Sequence, residues 1–174
     1  MEDLGTQATL IGRVALGAFL GYAVGFEREL RGKPAGERTF GLLSLGAAAV
    51  TAVGVLMFPA SAEKVIAGVI TGVGFLGAGL IFRERDEEQG AQVLNLTTAA
   101  SSWAAAALGI LAGAGAYLSA ALACVMTLIL LEVNRLPLYR RIARKVRQDG
   151  PDGGEPRYGT TAYPIRDEEH RTGD

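Results

Sequence analysis

Five apolar runs, at residues 7–26, 39–58, 65–82, 93–112 and 114–133, constrain this 174-residue chain more than any other feature. A helix needs roughly 20 apolar residues, at about 1.5 Å each, to cross the hydrocarbon layer of a bilayer, and each run is close to that length. Only Arg13 and Glu132 place a charge inside them. Helices of a soluble bundle show polar residues at every third or fourth position, whereas 65–82 carries Thr71 as its one polar side chain. The expected fold is all-α: a polytopic membrane protein built as a bundle of five transmembrane helices.

Charge sets the expected topology, because Lys and Arg in short loops favour the cytoplasmic side. Arg28, Arg31, Lys33 and Arg38 lie between the first and second runs, and Lys64 alone lies between the second and third. Arg83 and Arg85 follow the third run, and no basic residue joins the fourth to the fifth. With Arg135, Arg140, Arg141, Arg144, Lys145 and Arg147 beyond the fifth, twelve basic residues fall on one side and one on the other. The N-terminus is therefore expected outside and the C-terminus in the cytoplasm. No cleaved signal peptide is expected, since Met1-Glu2-Asp3 puts no basic segment before the first run.

The chain divides into a transmembrane domain, 1–135, and two polar segments. Pro137 interrupts the last helix, and Leu138, Tyr139, Ile142 and Val146 recur at helical spacing among basic residues. That pattern makes 136–148 a basic amphipathic juxtamembrane segment, either lying on the anionic inner leaflet or serving as a stop-transfer flank. Residues 149–174 crowd Gly, Pro and charge together and are expected to be a disordered cytoplasmic tail. The formal net charge of −1 averages an apolar body with this tail, so it carries no information about partners.

Inside the membrane, close packing needs small residues. The first run carries Gly17, Gly21 and Gly25 at four-residue intervals, and the third carries Gly68, Gly72, Gly74, Gly77 and Gly79. Both stripes read as packing surfaces within a tight bundle or an oligomer, with a permeation path as the other reading. The fourth run places Asn95, Thr98 and Ser102 on one face, expected to point inward because polar groups facing lipid are costly. Arg13 sits near the outer boundary, where it can snorkel, cap carbonyls or pair with Glu63, and Glu132 can do the same at the inner one. The single cysteine, Cys124, excludes an intramolecular disulfide.

The topology brings scattered polar residues to one cytoplasmic face: Glu27, Arg28, Glu29, Arg31, Lys33, Arg38, Thr39, Arg83, Asn95, Thr97 and Thr98. N-termini of the second and fourth helices add positive potential there. Such a cluster could bind an anionic headgroup, a phosphate or a protein partner. Alternatively, Glu27 with Arg31 and Glu29 with Lys33 are four-residue pairs that finish the first helix. A bare Mg²⁺ site is not expected, because Glu27 and Glu29 point to different sides of a helix and four basic residues lie close by.

The segment Gly25-Phe26-Glu27-Arg28-Glu29-Leu30-Arg31-Gly32-Lys33-Pro34-Ala35-Gly36-Glu37-Arg38-Thr39 resembles the signature loop of the MgtC/SapB family. Gly72-Val73-Gly74-Phe75-Leu76-Gly77-Ala78-Gly79-Leu80-Ile81 resembles its glycine-rich third helix, and Leu96-Thr97-Thr98-Ala99-Ala100, with Trp103 and Gly109, its fourth. The resemblance covers residues 10–135. It implies a multi-pass protein of the bacterial inner membrane linked with magnesium limitation and, in pathogens, with survival inside macrophages. Better-known relatives are thought to regulate other membrane proteins, including the ATP synthase, rather than to carry Mg²⁺. Thr97 and Ala104 stand where some relatives have Asn and Cys, and about forty residues follow Arg135, too few for those relatives' folded cytoplasmic domain. The chain thus resembles the shorter SapB-like members.

The expected function is non-enzymatic regulation of membrane partners associated with magnesium homeostasis; the alternative is a small ion or solute transporter for Mg²⁺. Expected contacts are the lipid bilayer, other copies of the chain and another membrane protein, with no nucleic acid. No phosphate-binding G-x-x-x-x-G-K-[ST] loop, His or Cys ligand spacing, or embedded nucleophile with a His partner occurs. Hence no catalytic, cofactor-binding or metal-binding residue is assigned.

Overall fold

The computed structural model describes residues 4–86 and 90–133. Five α-helices follow in order: α1 (Leu4–Glu29), α2 (Glu37–Met57), α3 (Ala62–Leu80), α4 (Leu96–Ala114) and α5 (Tyr117–Glu132). A 3₁₀ turn at Pro59–Ser61 leads into α3. Four spans, Leu4–Glu29, Glu37–Met57, Pro59–Leu80 and Leu96–Ala114, are long and apolar enough to cross a membrane, and Tyr117–Glu132 is a shorter apolar helix. The expected segments 136–148 and 149–174 lie outside the described residues.

One element was not expected. The α3–α4 connection is an antiparallel hairpin, β1 (Phe82–Asp86) with β2 (Gly90–Leu94), in the register Phe82 opposite Leu94 and Asp86 opposite Gly90. The third helix accordingly ends at Leu80, two residues before its run does, and the fourth begins at Leu96, three residues after its run begins. Phe82-Arg83-Glu84-Arg85-Asp86 lacks the apolar alternation that announces a strand. Asn95 joins hairpin to helix with φ +63°, a left-handed conformation that Asn tolerates better than most residues. It therefore precedes α4 rather than sharing a helical face with Thr98 and Ser102.

The core is a three-helix seam in which α2 lies against both α1 and α4 at backbone distance. A β-carbon at Gly17 would stand 2.5 Å from that of Ala48 and 3.2 Å from the Ser44 carbonyl oxygen. One at Gly21 would meet the Phe40 carbonyl oxygen at 2.5 Å, and one at Gly25 the Cα of Glu37 at 2.5 Å. From the other side, Gly109 abuts the Ser44 carbonyl and Gly113 the Ala48 carbonyl. Only hydrogen in place of a side chain permits this approach, which also allows Cα–H···O contacts. Phe40, Val24 and Leu108 fill the remaining space and are fully buried.

The other two helices are peripheral. α3 docks through Val73 against Ala47 and Ala106. A β-carbon added at its Gly68, Gly72, Gly74 or Gly79 would meet nothing within 4 Å, and one at Gly77 would come only to 4.0 Å from the Ala99 carbonyl. The third-run glycines, unlike those of α1, thus form no packing seam within the described chain. α5 buries Ala120 and Cys124 and turns Leu118, Leu122, Met126 and Leu130 outward, as a lipid-facing helix does.

The two stripes should respond differently to the same change. Gly21→Val should lower stability by about 1–3 kcal/mol or more through overpacking. Gly72→Ala should stay within ~0.5 kcal/mol or gain up to ~1 from helix propensity. Thermal unfolding of the two variants in detergent makes the comparison.

Candidate functional site

At one end of the bundle, the last turn of α1 and the loop after it gather charge. α1 runs through Glu29, so Glu27, Arg28 and Glu29 are helical, and the chain then reverses through Gly32 at φ +59°. The Arg28 carbonyl accepts the N–H groups of Arg31 and Lys33, each at 3.1 Å, which folds the loop back over the helix end. The short 30–36 connection carries Arg31 and Lys33, with Arg28 in the last turn of α1 and Arg38 in the first turn of α2 on either side of it.

Within this cluster Arg31 is the hub. Its guanidinium contacts Glu27 on α1 through Nε and Glu132, at the end of α5, through Nη2. Glu27 also lies 3.8 Å from Arg28 Nη1. Arg28 is only 3% exposed, and its Nε has no hydrogen-bond partner. A buried cation is held mainly by a neighbouring anion, here Glu27, whose oxygens make ion-pair contacts without well-aligned hydrogen bonds. The Glu29 carboxylate lies against Gly36, immediately before α2, where a negative charge is favoured by the helix dipole.

The remaining expected members are distributed differently. Arg38 and Thr39 are exposed on the first turn of α2, and Lys33 is half-buried. Thr97 is exposed while Thr98 is buried, and their carbonyls accept the hydroxyls of Ser101 at 2.7 Å and Ser102 at 3.0 Å. The polar face of α4 thus points inward and is largely bonded within its own helix. Ser44 and Thr51 on α2 are fully buried hydroxyls whose oxygens lack a partner. Among the described residues, no group of three or more His, Cys, Asp or Glu is placed to hold a metal ion.

The opposite end carries a second polar device. Arg13 donates from Nη1 to the Gly113 carbonyl at 2.9 Å and, at a longer 3.4 Å, from Nε to the Tyr117 hydroxyl. It also lies over Gly115, whose φ of +86° turns α4 into α5. Of the expected roles, the structure shows carbonyl capping, and the partner is the α4–α5 turn rather than Glu63. Gly109 and Gly113, which pack closely, and Tyr117, which pairs with Arg13, were not singled out from sequence as packing or pairing residues. The four-residue spacing of Gly109 and Gly113 is the signal that could have revealed the first two.

Comparison with known proteins follows the same segment. The profile of the MgtC family matches residues 14–137. Protein MgtC of Brucella abortus is 43% identical over 122 residues, covering 69% of this chain and 48% of that protein. Protein MgtC of Salmonella typhimurium is 38% identical over 129 residues, 74% of this chain and 52% of that one. A protein of Escherichia coli K12 called "Putative magnesium transporter YhiD" is 38% identical over 135 residues, 72% and 60% respectively. The chain thus spans about half to three fifths of these relatives' lengths. No solved structure matches it.

Removing the Arg13 side chain, as in Arg13→Leu, should cost about 1–3 kcal/mol by leaving the Gly113 carbonyl unsatisfied, and Tyr117→Phe less than ~1 kcal/mol. Unfolding midpoints of the two variants in the same detergent give the comparison.

Proposed function

The chain belongs to the MgtC family, and on that premise we propose that it is a non-enzymatic regulator of other membrane proteins in magnesium homeostasis. Membrane spans, membership of the MgtC family and the printed name of one relative, "Putative magnesium transporter YhiD", support the setting. One observation carries the choice of regulator over conduit: the α1–α2–α4 centre is closed by backbone contacts at Gly17, Gly21, Gly109 and Gly113. Transporter sites are usually built from broken helices that line a polar path near the midplane. Here the hydroxyls of Ser101 and Ser102 bond back to their own helix. Cavities of about 260 and 350 Å³ flank α3 and are lined by apolar side chains such as Ile70, Trp103, Val53 and Phe58.

The surface for recognition in this reading is the charged end of the bundle, where Arg38 and Thr39 stand exposed and Lys33 is half-buried. With N-terminus outside and C-terminus inside a bacterial inner membrane, this end faces the cytoplasm, in keeping with the loop charge bias. The transporter reading is favoured by the printed name of the E. coli relative alone.

A deletion strain grown across a magnesium series tests the regulatory proposal. Wild type should restore growth at low Mg²⁺, and Arg38→Glu should lose most of that rescue at unchanged protein level; full rescue by Arg38→Glu removes the cluster from the mechanism. Topology is tested separately with impermeant thiol labelling in a Cys124→Ser background. A cysteine at Arg38 should be shielded in intact cells and one at Lys64 labelled, and the reverse pattern would invert the orientation.

A further inference from the structure

The two clips that α1 makes on α5 differ in kind. At one end Arg13 bonds the Gly113 carbonyl and reaches Tyr117. At the other, Arg31, in the loop that follows α1, shares its guanidinium between Glu27 of α1 and Glu132 of α5. Between them α5 buries only Ala120 and Cys124, the latter with Sγ 3.9 Å from the Leu20 carbonyl oxygen. Beyond Cys124 no described α5 side chain is fully buried, and Leu128 and Leu131 lie half-buried against the core that Leu20 and Val24 of α1 share.

From this asymmetry we infer that Arg31 and Glu132 form a releasable latch, which fixes the C-terminal end of α5 to α1 in one state and frees it in another. The sharing of Arg31 makes release inexpensive. Glu27 has an 11% exposed side chain and remains paired with Arg31 when Glu132 leaves, so no buried cation is orphaned. Glu132 is 43% exposed and passes into water, where a carboxylate is well solvated. Two arrangements of one guanidinium thus supply a bistable element of the kind that switching helices use. Nothing in this depends on regulation of a partner, so loss of the growth phenotype and loss of the latch are separate results.

Spin labels report the state directly. Leu42 and Leu130 are both 68% exposed, on α2 and α5 near the charged end, and cysteines there in a Cys124→Ser background provide the pair. In nanodiscs, pulsed electron–electron distances should form one dominant narrow population. Glu132→Gln should raise a longer population about fivefold, whereas Glu27→Gln, which leaves Arg31 to Glu132 alone, should not. Raising NaCl to molar concentration on the labelled protein with both carboxylates intact should move it in the same direction as Glu132→Gln. An unchanged distribution in Glu132→Gln, equal release by Glu27→Gln, or no response to salt would each overturn the latch.

Discussion

Contact between α2 carbonyls and the glycines of α1 and α4 is the constraint on which the rest of the bundle depends. Water drives no apolar helices together inside lipid, so association there rests on close van der Waals contact and weak hydrogen bonds. The Ser44 carbonyl is approached from both sides, by Gly17 and by Gly109, so one peptide group joins three helices. Such a joint fixes both rotation and depth of α1 and α4 on α2. Every other element is placed relative to it: α3 leans on Ala47 and Ala106, and α5 on Leu20 and its neighbours.

Charged side chains gather at the two ends of the seam, while small hydroxyls such as Ser44, Thr51 and Ser102 are buried within the bundle. Arg13 serves one end by satisfying a helix C-terminal carbonyl, and Arg31 serves the other by joining acids on two helices. The same arrangement leaves the outer surface apolar, with Phe19, Phe75, Leu118 and Leu130 exposed, as lipid contact requires. Phe75, 82% exposed, marks how little of α3 the bundle covers.

The order of five apolar helices is legible in the sequence because hydrocarbon thickness imposes a length that composition reveals, and four of them, all but α5, are long enough as described to cross a membrane. The α1 stripe is equally legible, since Gly17, Gly21 and Gly25 share one face. Composition could not say which stripe the bundle would use: Gly68, Gly72 and Gly79 have the same chemistry and meet nothing within the described chain. Hairpin strands 82–86 and 90–94 escaped because their pairing is between backbones, and charged residues give it no apolar signature. At the charged end, the Glu27–Arg31 spacing is readable as a helical pair. Glu132 joining it is a long-range contact, 101 residues from Arg31, which no local pattern encodes.

We propose a protein that acts on its neighbours because the centre is closed by backbone contacts while Arg38 and Thr39 stand exposed at one end. One similar protein, of Escherichia coli K12, is called a putative magnesium transporter, and the regulatory reading turns on whether Mg²⁺ crosses this bundle. The most direct measurement is Mg²⁺ uptake by proteoliposomes containing the purified chain, read with an entrapped Mg²⁺ indicator under an imposed gradient. The account predicts uptake no faster than in protein-free vesicles. Protein-dependent Mg²⁺ uptake that Glu27→Gln abolishes would contradict it.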